Sequence, residues 1–129
     1  MKIEIRSGLP FVRASLIHCK KEIELDNVLL DTGSSGTIFS ADKVLGIGLR
    51  AEPDDTVHRI RGVGGSEFVF IKQIDAISLG EFRIEHFNIE VGSVNYGFKI
   101  NGIAGIDFLL QTKAIIDLDQ LMLFRSKRT

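Results

Sequence analysis

Residues 29–36 read Leu-Leu-Asp-Thr-Gly-Ser-Ser-Gly. Two apolar residues that run into an acid, a hydroxyl and a glycine put a carboxylate, Asp31, at the end of a buried strand where the backbone turns tightly. A carboxylate is costly to desolvate, so its presence there points to chemistry for it to do. A second constellation is Arg61-Gly62-Val63-Gly64-Gly65. Its glycines permit positive backbone angles and leave few side chains to hold the tip down. The segment reads either as a mobile flap over a substrate or as an ordinary glycine hairpin turn.

Other chemistry-bearing residues are weaker candidates. His58 and His86 lie in charge-rich, strand-like stretches without a second ligand at a recognisable spacing, so they are read as exposed strand histidines and no metal site is expected. Cys19 follows His18, but neighbours on a strand point to opposite faces. Cys19 is therefore expected to be a small side chain on a half-buried strand, not a nucleophile. Asp107 is assigned to the start of a helix, where negative charge is favoured, and Asp117 to a strand end.

The elements that must position Asp31 are short strands. Phe11 to Ile17 and Ile23 to Leu25 form an opening hairpin with Lys20-Lys21-Glu22 at its tip, and Val28 to Leu30 is an apolar strand leading into Asp31. Ser40 is placed to cap one short helix ending at Gly46. Residues 50–55, which include Pro53, read as a surface loop. Thr56 to Arg61 and Ser66 to Lys72 flank the glycine tip. Ile74 to Leu79 and Phe82 to Val91 pair across Gly80-Glu81, and a change of apolar phase near Glu85-His86 suggests a bulge. Asn101 to Leu110 then repeats the order of Val28 to Leu45, a small-residue strand, a glycine and a short apolar helical turn. Ala114 to Leu118 and Leu121 to Phe124 close the chain around Asp119-Gln120. The plan is an all-β fold, a small closed barrel with an internal duplication, in which the second copy lacks the acid.

Composition bounds what this fold serves. The 129 residues suit one domain with a single core, 1–129, and are too few for two lobes. With 16 basic against 17 acidic side chains the charge is balanced, which argues against nucleic acid as a partner. Arg125-Ser126-Lys127-Arg128 is read as a solvated, frayed end. Met1 to Arg6 alternates apolar and charged residues, as a strand does and a secretory signal does not. There is no apolar run of membrane-spanning length. A lone cysteine forms no internal disulfide, and the expected location is the cytoplasm.

Asp31-Thr32-Gly33-Ser34-Ser35, the glycine-rich hairpin and Gly102-Ile103-Ala104-Gly105-Ile106-Asp107-Phe108-Leu109 appear in that order. Together they make the chain, from about Phe11 to Phe124, resemble the retropepsin-like aspartic proteases, single-lobed relatives of pepsin. The resemblance implies an acid-protease barrel with a pseudo-twofold repeat, no cofactor, and an extended peptide or protein as substrate. It further implies that Thr32 hydrogen-bonds across a dimer, that Gly33 lets substrate backbone approach, and that Arg61 to Gly65 close as a flap. Hydrolysis by carboxylates needs two acids, one to activate water and one to protonate the carbonyl. With one Asp-Thr-Gly per chain, a homodimer pairing Asp31 with its own copy supplies both. Viral members pair an aspartate and an arginine where this chain has Ser35 and Ile106. The alternative expectation is a catalytically silent module of the same fold that dimerises or binds peptides.

Overall fold

The computed structural model of the protein describes residues 1–62, 65–94 and 99–126. Among the described residues ten strands run in the order β1 (Glu4–Arg6), β2 (Leu9–His18), β3 (Lys21–Leu30), β4 (Ile38–Ser40), β5 (Val57–Gly62), β6 (Gly65–Leu79), β7 (Phe82–Gly92), β8 (Gly102–Ala104), β9 (Ala114–Asp117) and β10 (Met122–Arg125). Helix α1 (Ala41–Val44) follows β4, and α2 (Ile106–Thr112) follows β8. The fold is all-β, as the short alternating segments led one to expect.

Eight strands join in the order β1-β2-β3-β8-β4-β7-β6-β5, and a further β2–β6 pairing closes six of them into a ring. The repeat is visible in this order. Hairpin β2–β3 is followed by β4 and α1, and hairpin β6–β7 by β8 and α2. Each single strand crosses to the other hairpin, β4 running parallel to β7 and β8 parallel to β3, and the two meet antiparallel at the centre. Helix α2 and β8 thus correspond to α1 and β4, and the stretch matching the Asp31 loop follows β7.

Local chemistry explains the turns. Cys19 and Lys20 both have left-handed backbones, φ 50 and 67, as a tight two-residue hairpin requires. The tip therefore falls at Cys19-Lys20, earlier than expected, and Cys19 is exposed there instead of lying on a half-buried strand. The two apolar segments expected before Asp31 are one strand, β3. The β2–β3 register shifts between Val12 and Ala14, so that Asp26 and Asn27 face the single residue Arg13. Asn27 takes φ 51 at this bulge. The phase change near His86 has a different origin: β6 and β7 keep one register with no inserted residue, and the left-handed His86, φ 53, turns the strand locally. Both His58 and His86 are exposed. Ser40 occupies the helix N-cap without a side-chain capping bond, and the helix runs on through a 3-10 turn, Leu45–Ile47, past Gly46 to the left-handed Gly48. The frayed end assigned to residues 125–128 lies partly outside the described residues, which stop at Ser126.

Two apolar clusters sit on opposite faces of the central strands. The larger holds Val28, Leu30, Phe39, Val91, Ala104 and Phe108. The smaller holds Phe11, Leu29, Ile38, Val69, Ile100 and Ile103. Alternate residues of β3, β4 and β8 go to alternate clusters, which follows from the period of two along a strand. Met1 to Ile3 lie beside β10, with Ile3 N–H donating to Leu121 O and Leu123 N–H to Met1 O, each at 2.8 Å.

Candidate active site

Asp31 stands one residue beyond β3, and its N–H donates to Ala104 O at 3.1 Å, so the β3–β8 ladder extends to it. Strand alternation then puts its side chain on the face of Leu29, that of the smaller apolar cluster. The carboxylate accepts the Gly33 N–H on Oδ1 at 2.9 Å, and Asp31 O accepts the Ser34 N–H at 3.1 Å. The acid is half-buried, whereas Thr32 and Gly33 are exposed. Gly33 is tightly fitted, since a Cβ there would stand 3.3 Å from Asp31 Oδ1.

The loop is tied to the second half of the repeat. Ser34 Oγ donates to Gly36 O at 2.8 Å, and Ser34 O accepts the Ile106 N–H at 2.8 Å. Thr37 is fully buried. Its hydroxyl donates to Asp107 Oδ1 at 2.7 Å and accepts the Gly105 N–H at 3.0 Å. Asp107 Oδ1 also accepts the Phe108 N–H at 2.8 Å. The expected role of Asp107 at the start of α2 is therefore correct but partial, because the same carboxylate holds Thr37. A Cβ at Gly105 would run into Gly36 O and come within 2.7 Å of Gly36 C, so only glycine lets the two turns pack backbone to backbone.

Asn101 is a second tie. Buried to 4% exposure, it donates through Nδ2 to Asp26 O and Oδ1 at 2.8 and 2.9 Å, while its own N–H donates to Asn27 O at 3.0 Å. It plugs the β3 bulge and so directs residues 28–31. Sequence reasoning missed Thr37 and Asn101. The available signal was a polar residue directly before each of two short apolar strands, β4 and β8, where burial demands a partner.

The hairpin expected to be a flap is formed by β5 and β6, paired from Val57↔Phe70 to Gly62↔Gly65. Its tip, Val63 and Gly64, lies outside the described residues. Val69, near the hairpin's base, belongs to the same apolar cluster as Leu29 and Ile38. The base is buckled to the 50–55 loop, for Lys72 Nζ reaches Glu52 Oε1 at 2.6 Å and Asp55 Oδ1 at 2.9 Å. A cavity of about 230 Å³ beside Glu4, Arg6, Arg13 and Asp26 does not include Asp31. Asp117 lies at the end of β9 as expected, where Oδ1 accepts the Asp119 and Gln120 N–H groups.

The model of the family described as aspartyl protease matches residues 20–110, a span that begins at the β2–β3 turn and ends inside α2. The chain belongs to this family. It is an aspartic protease family of retropepsin type, and membership agrees with the all-β ring and with the Asp-Thr-Gly turn at the end of β3. A comparison with curated proteins finds no match. As a family member the chain takes the role of a peptide hydrolase at the family level. Among the described residues no helix is long and apolar enough to cross a membrane.

Proposed function

We propose that the protein is an aspartic endopeptidase whose catalytic centre is completed by a second copy of the chain. The observation that carries this reading is the placement of Asp31: a half-buried carboxylate at the end of β3, directed to an apolar face. Its loop is held by Thr37, Gly105 and Asp107, and among the described residues the carboxylate itself has no hydrogen-bond partner beyond Gly33.

The chain offers half of what hydrolysis needs. In the repeat, the stretch corresponding to the Asp31 loop follows β7, and residues 92–101 read Gly-Ser-Val-Asn-Tyr-Gly-Phe-Lys-Ile-Asn, without an acid. A twofold axis beside the exposed Thr32-Gly33 turn brings the two Asp31 carboxylates together. Held about 3 Å apart they do not both ionise, and the pair shares a proton. The ionised member takes a proton from a bound water as that water attacks the scissile carbonyl. The protonated member donates to the carbonyl oxygen, and the tetrahedral intermediate collapses with the proton passing to the leaving amine.

Other residues take supporting roles in this reading. The Thr32 hydroxyl, exposed and without a hydrogen bond among the described residues, braces the dyad across the interface. Gly33 lets the backbone of an extended substrate approach, and the substrate binds as an added strand, while Ser34 braces the turn through Gly36 and Ile106. Arg61 to Gly65 close over it and exclude water. Leu110, Ile115 and Leu118 leave apolar side chains exposed on α2 and the β9–β10 hairpin, a surface suited to a second protomer. Asp31→Asn is expected to abolish cleavage of a peptide library at mildly acid pH, with fold and sedimentation unchanged. Equal cleavage by the variant refutes the assignment of Asp31.

A further inference from the structure

Strand β7 carries a carboxylate where one is costly. Glu90 is half-buried, and burial pushes its carboxyl above the ordinary glutamate value; the nearby Asp107 charge adds to this and His58 opposes it. Among the described residues its oxygens have no hydrogen bond or ion pair. Acids kept in such a setting are enriched where a ligand supplies the missing partner.

The register shows what Glu90 faces. It lies opposite Ile38 on β4 and Ile71 on β6, so it shares the face of Ile38, Ile103, Leu29 and Asp31. Its carboxylate lies over Gly36, in the loop that begins at Asp31: a Cβ on Gly36 would run into Oε1 and stand 2.9 Å from Cδ. The bare backbone of Gly36 makes room for that head group. His58, opposite Val69, is on the same side of the β5–β6 hairpin.

Among the described residues, charges on the surrounding elements are few. From α2, Asp107 is taken up by Thr37 and by the Phe108 N–H. From β6, Ile71 is apolar, and Lys72 alternates to the other face, where Glu52 and Asp55 hold it. From β4, Ile38 is apolar. Among the described residues, His58 on β5 is the remaining titratable group whose charge acts on Glu90.

We propose that Glu90 is a specificity-determining residue, whose carboxylate forms an acidic subsite receiving a lysine or arginine side chain of the extended substrate. The inference rests on the reading of this face as a peptide-cleaving cleft. The methylene stem of a basic side chain suits the apolar surface of the half-buried Ile71, and its head reaches the oxygens over Gly36. The carboxylate is already desolvated and positioned before substrate arrives, which lowers the cost of pairing. An acidic substrate side chain meets Glu90 and Asp107 and is rejected.

The test scans lysine, norleucine and glutamate through each position of an extended peptide and reads kcat/KM for wild type, Glu90→Gln and Glu90→Lys. Wild type is expected to favour lysine over norleucine at one position by about tenfold, the worth of one charge-assisted hydrogen bond. Glu90→Gln brings that ratio to about one, and Glu90→Lys turns the preference to glutamate, a reversal that a purely structural role does not produce. An unchanged lysine preference in either variant overturns the proposal. If wild type cleaves none of the peptides, the endopeptidase reading fails separately, and binding of the same peptides by fluorescence anisotropy decides for Glu90. Lysine-selective binding lost in Glu90→Gln supports the subsite; unselective binding or none overturns it.

Discussion

Replacing Thr37 by valine keeps the shape of a fully buried side chain and deletes two hydrogen bonds that join the Asp31 loop to the second half of the fold. One is donated to a carboxylate, Asp107 Oδ1 at 2.7 Å, and the other is accepted from the Gly105 N–H at 3.0 Å. A bond to a charged group contributes about 1.5–3 kcal/mol and a neutral one about 0.5–1.5 kcal/mol, and both partners stay in place without the hydroxyl. The expected loss is about 2–4 kcal/mol. For a chain of this size that lowers Tm by roughly 3–5 °C per kcal/mol. Thr37→Ser is the control. It keeps the hydroxyl and removes one methyl group, at about 1 kcal/mol. Urea unfolding of the three proteins with a common m value measures the differences. The valine variant is also expected to lose kcat/KM, because the loop that carries Asp31 is no longer held to Gly105. If Thr37→Val is as stable as Thr37→Ser, the hydroxyl is not the tie described, and the account of how the loop is positioned fails.

Gly105→Ala is expected to cost more than 3 kcal/mol or to prevent folding, since the new Cβ meets backbone atoms of Ser34 and Gly36 and not a side chain that can swing away; thermal unfolding or soluble yield shows this. Two carboxylates are expected to titrate with opposite sign. Asp55 is held below its ordinary value by the Lys72 hydrogen bond, so its contribution is present above the unfolded value of 3.8 and is lost as pH falls through the lower folded value. Glu90 is held above its ordinary value by burial, so its charged form weakens the fold as pH rises from 4.5 through the raised value. Melting curves across pH 2.5–7 should therefore show Asp55→Asn flattening the acid limb and Glu90→Gln removing a loss on the neutral side. A parallel response of both variants contradicts the assignment.

What was legible in the sequence was local. The β6–β7 and β9–β10 hairpins, the surface loop around Pro53 and the Asp31 turn all show in alternation and turn residues over short spans. The bulge at Asp26-Asn27 was not read, because an extra residue breaks the alternation and makes β3 look like two strands. The parallel crossing of β8 onto β3 and β4 onto β7 was out of reach, since short strands buried on both faces carry no record of their neighbours. That crossing sets the phase of the internal repeat, which the sequence alone aligned by one strand too early. Asp31 stood out because an acid after two leucines is anomalous on its face. Thr37, Asn101 and Glu90 did not, because their importance comes from partners far along the chain: Gly105 and Asp107, Asp26, and the bare backbone of Gly36.

The central claim is that two chains build one catalytic centre, and mixing tests it most directly. Wild type and Asp31→Asn are combined at constant total protein, allowed to exchange, and assayed for peptide cleavage. If each site needs Asp31 from both protomers, activity follows the square of the wild-type fraction, and an equal mixture retains about a quarter of the starting rate. A fall in direct proportion to the wild-type fraction, to about half in the equal mixture, means that each chain carries a complete site and contradicts the account.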